Sequence, residues 1–124
     1  MKVIVAGSRS IKDFYIVVNA IDASPFKGSI TEVVSGTARG VDMLGELYAH
    51  YLNLNVRRFP ADWKHFGKSA GYKRNDEMAE YADALIAVWD GISAGTRHMI
   101  QAMWLLYKPV YVHRLRVERT TKGA

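Results

Sequence analysis

The chain has 124 residues, a usual size for one domain and too short for two independent cores. It contains no cysteine, which excludes a disulfide framework and any thiolate metal site. Its formal net charge of +5 favours acidic partners such as phosphates or nucleic acid. Composition is that of an ordinary globular protein, 49% hydrophobic and 23% charged, and no apolar run approaches the roughly 20 residues of a membrane span. The expectation is a cytoplasmic protein with no membrane segment. The first residues, MKVIVAGSRS, read as a buried strand and not as a signal peptide. Much of the positive charge lies at the other end, where residues 113–124 carry four Lys or Arg against one Glu. Residues 114–124 read as a basic, solvated tail following a domain over residues 1–113.

In chain order, residues 2–6 (KVIVA) form a β-branched run closed by Gly7, which is the signature of a short buried strand. Phe14, Val17, Val18 and Ile21 then recur at helical spacing over residues 13–23, and Pro25 and Gly28 end that helix. Residues 31–35 are a second strand. From Gly40 or Val41 to about Leu52, Val41, Leu44, Leu47, Tyr48 and Tyr51 make the apolar face of a second helix. Residues 55–59 are a third strand closed by Pro60, residues 61–70 show no period and read as a loop, and residues 71–81 read as helix. Residues 83–89 (DALIAVW) are the strongest strand. A helix over 95–107 and a strand over Val110–His113 complete the chain.

Strict alternation of strand and helix predicts an α/β fold: a Rossmann-like three-layer sandwich with a five-stranded, mainly parallel sheet and helices on both faces. Ligands of such sheets bind outside the carboxyl ends of the strands. The loops there carry the chemistry. The first is Gly7-Ser8-Arg9-Ser10, with a glycine for close approach, hydroxyls, and an arginine able to fork around a phosphate or carboxylate. The second runs Ser35-Gly36-Thr37-Ala38-Arg39-Gly40 into a helix, a geometry that exposes free amides and a positive helix end. It is neither a Walker A loop nor a GxGxxG fingerprint. Asp42 and Glu46, four residues apart on that helix, are the candidates for acid–base work or for holding a ribose, against the plainer role of acids stabilising the first helical turns.

The third region offers Trp63 as a base-stacking candidate, and Arg74 and Asn75 on the following helix. Asn75 has low helix propensity, which hints at a specific hydrogen-bonding role. The fourth loop, Asp90-Gly91-Ile92-Ser93-Ala94-Gly95-Thr96, is a second phosphate-cradle candidate. His65 reads as structural. Tyr48, Tyr51, Met99, Met103 and Trp104 read as core. The histidines have no partners at metal spacing, so no metal is expected, and no cofactor is implied. The helix over 95–107 is apolar almost all round, which points to homo-oligomerisation or to a central place on the sheet.

Gly7-Ser8-Arg9, Ser35-Gly36-x-Ala38-x-Gly40-Val41-Asp42, Phe59-Pro60-Ala61-Asp62-Trp63, Gly67-Lys68, Arg74-Asn75 and Asp90-Gly91-x-Ser93-x-Gly95-Thr96 occur in an order that resembles the YspA-like branch of the SLOG superfamily. That superfamily also holds the DNA-processing protein A of natural transformation and the lonely guy phosphoribohydrolases. The resemblance implies a Rossmann-like sheet and a nucleotide-type ligand held by the matched loops. The phosphoribohydrolases resemble this chain at the fourth loop but carry a catalytic glutamate where Met99 stands, and methionine can act as neither acid nor base. Arg74-Asn75 is similar to the DNA-processing protein, which binds single-stranded DNA. Three functions follow: a nucleotide-binding sensor or sequestering module, a nucleotide N-glycoside hydrolase or transferase using Asp42 and Glu46, and a single-stranded nucleic-acid binder.

Overall fold

The computed structural model describes residues 1–115. Five strands, β1 (Lys2–Gly7), β2 (Glu32–Ser35), β3 (Asn55–Arg58), β4 (Ala84–Trp89) and β5 (Val110–Arg114), form one sheet in the order β3-β2-β1-β4-β5. Every neighbouring pair is parallel, so the sheet is wholly parallel. The last strand runs one residue beyond the expected domain end. The basic tail foreseen from residue 114 lies, from residue 116 on, outside the described residues.

Alternation along the central strands divides the core in two. Val3 and Val5 of β1 and Ala84, Ile86 and Val88 of β4 face one side, against helices α1 (Phe14–Ala23) and α2 (Val41–Tyr51). Ile4, Ala6, Leu85 and Ala87 face the other, against α4 (Ala70–Tyr81) and α5 (Ala94–Leu105). A strand buried on both faces needs this unbroken apolar run. Right-handed crossovers explain the two layers: the chain moves from β1 outward to β3 with helices on one face, then returns past β1 to β4 with helices on the other. The order therefore reverses between β1 and β4, and the cleft of such sheets opens at that reversal.

Two expectations change. Residues 61–70 are not an irregular loop: a helical turn, α3 (Trp63–Phe66), and a 3₁₀ turn over Gly67–Ser69 fill it. Asp62 caps α3, accepting from the His65 amide at 3.2 Å and from its ring at 2.8 Å. A single capped turn is too short to show periodicity. Tyr51 and Trp104 are also not core. Tyr48, Met99 and Met103 are buried, whereas Trp104 is 61% exposed and Leu105, Leu106 and Tyr107 beside it also face outward. Helix α5 offers the sheet one face only, so its last apolar turn points away from the core. Among the described residues no helix is long and apolar enough to cross a membrane.

Ile86 lies fully buried in the central strand. Ile86→Ala should cost about 2–5 kcal/mol in urea unfolding. Leu105→Ala, on the outward turn of α5, should stay within about 0.5 kcal/mol.

Candidate functional site

Loop one is fixed to loop four at the β1–β4 seam. A Cβ on Gly7 would stand 2.0 Å from the Val88 carbonyl oxygen, so no side chain fits there. The Ser8 amide donates to that same carbonyl at 3.1 Å. The Ser8 hydroxyl accepts from the Asp90 amide at 3.1 Å and meets the Ser93 hydroxyl at 3.1 Å. Asp90 in turn accepts from the Ile92 and Ser93 amides, both at 2.8 Å, and from the Ser93 hydroxyl at 3.0 Å. Partial burial opposes ionisation of Asp90, but these bonds outweigh it and hold the carboxyl below its ordinary range. Ser8 and Asp90 thus staple the two loops together. Beyond them Gly91 turns with φ +83° under the Arg114 guanidinium.

Loop two approaches the same seam. Gly40, at φ +78°, packs so closely on the backbone of Ser8 and Arg9 that a Cβ would lie 2.5 Å from the Ser8 oxygen. Gly40 begins α2 and offers no side-chain cap. Ser35 is fully buried; its hydroxyl donates to Glu46 at 2.6 Å and accepts from the Thr37 amide at 3.1 Å. The other Glu46 oxygen accepts from Arg58 at 2.9 Å. Glu46 and Ser35 are therefore engaged in joining α2 to the edge of the sheet. Asp42 differs. It is 5% exposed, and its Oδ2 accepts from the Ala38 amide at 3.1 Å. Burial pushes its pKa up to about 6, against the amides of Ala38 and Gly7 and the Arg74 charge, which lower it; the nearby Glu46 charge raises it further.

Helix α4 supplies the last wall. Arg74 donates to the Gly36 and Phe59 carbonyls and, through Nε, to the Asn75 side chain at 3.0 Å. Gly36 leaves room for it: a Cβ there would come within 2.8 Å of both Arg74 and Asp42. Burial lowers the Arg74 pKa, the Asp42 carboxylate opposes that, and the Arg9 charge adds to the lowering. Asn75 donates to the Gly95 carbonyl at 3.2 Å and lies 3.2 Å from His98 Nδ1. The low-propensity asparagine thus ties α4 to the start of α5.

Between these loops opens a cleft of about 370 Å³, within the range of small-molecule sites. Of the residues singled out in sequence, Gly7, Arg9, Asp42, Arg74 and Asn75 line it from one side, and Ser93, Gly95 and Thr96 from the other. Ser8, Ser35, Gly36, Gly40, Asp90 and Gly91 shape the loops behind it. Glu46 and Trp63 are not in the lining. Trp63 stands at the margin, where its ring and the Arg74 guanidinium flank Gly71. Ser10 and Ala38 of the first two loops line it as well, and the cleft has an apolar wall that the sequence did not reveal, made by Ala6, Met78 and Met99. Both methionines lie at helical spacing and are buried, so spacing alone does not distinguish them from core.

Two helix starts meet at this cleft. Neither Gly40 nor Ser93 caps its helix with a side-chain hydrogen bond, which leaves first-turn amides of α2 and α5 open to an acceptor. Thr96 is 5% exposed and lines the cleft, and no hydrogen bond engages its hydroxyl among the described residues. The arrangement can therefore hold an anion by amides, helix ends, a hydroxyl and two guanidinium groups, with one buried carboxyl beside them.

A solved structure of DNA processing protein A from Helicobacter pylori, described for its single-stranded DNA binding mode, is similar in fold with a TM-score of 0.64. The match covers 98% of this chain and 67% of that one, at 20% identity. None of the curated proteins compared with the chain matches it in sequence. The model of the YspA, cpYpsA-related SLOG family matches residues 1–66. This is the half that contributes loops one and two, including Arg9, Gly40 and Asp42. The chain belongs to the YspA, cpYpsA-related SLOG family.

Proposed function

We propose that the cleft binds a nucleotide or nucleotide-derived ligand and that the protein acts as a sensor or sequestering module for it. The observation that carries this reading is the convergence of the uncapped α2 and α5 starts with Arg9, Arg74 and the unengaged Thr96 hydroxyl on one cleft. Phosphate oxygens supply the negative charge and acceptors these groups lack. The apolar wall of Ala6, Met78 and Met99 supplies a surface for a base or sugar face. A hydrolase or transferase is the weaker reading. Glu46 is occupied by Ser35 and Arg58, so any acid–base work falls on Asp42 alone.

A buried carboxyl among anion-binding groups carries a cost in stability, and a carboxyl so perturbed in the lining of a cleft suits a role toward a ligand. The folded pKa of about 6 lies above the ordinary value of 3.8, so folding favours the protonated acid. No penalty exists below the unfolded value; it grows as pH rises through the window between the two values and is complete above about 6. Asp42→Asn should therefore raise stability at pH 7.5, by up to about 3 kcal/mol, and leave it nearly unchanged at pH 4. Chemical denaturation at both pH values checks this.

The binding reading is tested by a thermal-shift screen of nucleoside mono- and diphosphates, cyclic nucleotides and ADP-ribose. A ligand near a hundredfold its dissociation constant should raise Tm by about 10 °C. Arg9 is exposed, so Arg9→Ala should fold normally yet weaken that ligand by about tenfold or more. No shift with any compound would overturn the reading.

A second reading rests on the surface beside the cleft. Residues 63–74 carry Lys64, Lys68, Lys73 and Arg74 and no acid. Trp63, Phe66 and Tyr72 are exposed among them, with the Lys73 amine 4.9 Å from the centre of the Phe66 ring. Cations interleaved with aromatic faces suit single-stranded nucleic acid, the ligand named for the DNA processing protein. On this reading oligo-dT affinity falls steeply with salt, and Trp63→Ala with Phe66→Ala weakens it by about tenfold or more. A salt-independent or unmeasurable interaction at low salt counts against it.

A further inference from the structure

We infer that Asp42 is a specificity-determining residue that accepts hydrogen bonds from the ribose hydroxyls of the ligand, so that the cleft selects ribonucleotide over deoxyribonucleotide derivatives. The inference rests on the nucleotide reading of the cleft and names the part of the ligand that reading leaves open.

The cleft holds an electrostatic mismatch. The charged groups and open donors around the cleft are otherwise suited to an anion: Arg9, Arg74, Thr96 and the open amides of two helices. Asp42 is an acceptor in that company, buried and lining the same space. A phosphate placed against it would meet like charge, so the ligand must present something else there. A cationic group is disfavoured, because Arg74 from α4 and Arg9 from loop one face the same region. A neutral donor satisfies both conditions, and the neutral donors of a nucleotide outside its base are the sugar hydroxyls.

The carboxyl also has capacity to spare. An ionised carboxylate offers about four lone-pair positions. The amides of Ala38 and Gly7 address it, and no side chain donates to it among the described residues. Arg74 does not pair with it directly: its guanidinium is engaged with Gly36, Phe59 and Asn75. Asp42 is thus held in place from behind by backbone and left open in front, the arrangement expected of an acceptor for a vicinal diol. Asp42 differs in this respect from Glu46, one turn further along α2, whose two oxygens are both taken.

The test compares ribonucleoside 5′-mono- and diphosphates with their 2′-deoxy and 2′,3′-dideoxy counterparts by calorimetry on the full chain. The native protein at pH 7.5 should bind the ribo form about tenfold or more tightly than the dideoxy form, the effect of hydrogen bonds to a charged acceptor. Because the charged carboxylate is the better acceptor, that ratio should shrink as pH falls from 7.5 to 5, through the Asp42 titration near 6. The groups facing Asp42 as it titrates are Arg74, Arg9 and Glu46. Phosphate ionisation is common to both members of each pair and cancels in the ratio. Asp42→Asn, which retains an oxygen to accept from Ala38, should also shrink the ratio; its melting temperature reports whether it folds. Equal binding of ribo and dideoxy forms overturns the inference while the nucleotide reading stands. A ratio that survives in folded Asp42→Asn, or that does not change with pH, overturns it too. If no form binds, the nucleotide reading falls and the inference with it.

Discussion

The close contact between Gly7 and the Val88 carbonyl is the constraint on which the rest of the cleft depends. It is the point where the parallel neighbours β1 and β4 end side by side and the order of strand addition reverses. Because no Cβ fits, the chain can turn at once, and the Ser8 amide continues the hydrogen bonding of the strand pair. That turn brings the Ser8 oxygen under Gly40, and the Ser8 hydroxyl to Asp90 and Ser93. One glycine therefore positions three loops. Any backbone shift there moves Arg9, the start of α2 and the start of α5 together, so main-chain packing and the Ser8–Asp90–Ser93 bonds pre-organise the groups of the cleft together.

The fold and the placement of the candidate loops were legible in the sequence because they depend on local, periodic features. The β-branched runs at 2–6 and 83–89 and the glycines that close strands report themselves by type and spacing. The parallel order was implied by alternation. The division of labour within the loops was not legible, because it depends on which side chains meet across the sheet. Asp90 and Ser93 share one loop and one staple, yet only Ser93 also borders the cleft. Asp42 and Glu46 lie on one helix face, but one turn is enough to carry Glu46 past the loop to Arg58, a residue of β3. Tyr51 and Trp104 had helical spacing without burial, since periodicity gives a face and not what covers it.

The methionines show the opposite failure. Met78 and Met99 are buried as their spacing required, and they also line the cleft. Core and site are not separate categories where a buried helix face reaches a cleft. Met99 shares this wall with Ala6 and Met78, an apolar setting that would neither charge nor orient an acid. The acidic group of the cleft stands instead on α2, across from this wall.

The two arginines divide the remaining work unequally. Arg74 is largely buried and spends its donors on Gly36, Phe59 and Asn75, holding loop two, the end of β3 and its own helix in one arrangement. Asn75 extends that hold to Gly95 and so to α5. Removing Arg74 would therefore disturb the shape of the cleft as much as its charge. Arg9 lies exposed at the cleft and takes part in no ion pair among the described residues, so its guanidinium is free to meet a ligand. A cleft with one arginine committed to structure and one free, two open helix starts and one restrained carboxyl is asymmetric. That asymmetry favours a ligand with an anionic end and a hydroxylated part over a uniformly charged polymer, whose phosphates would have to pass the carboxyl.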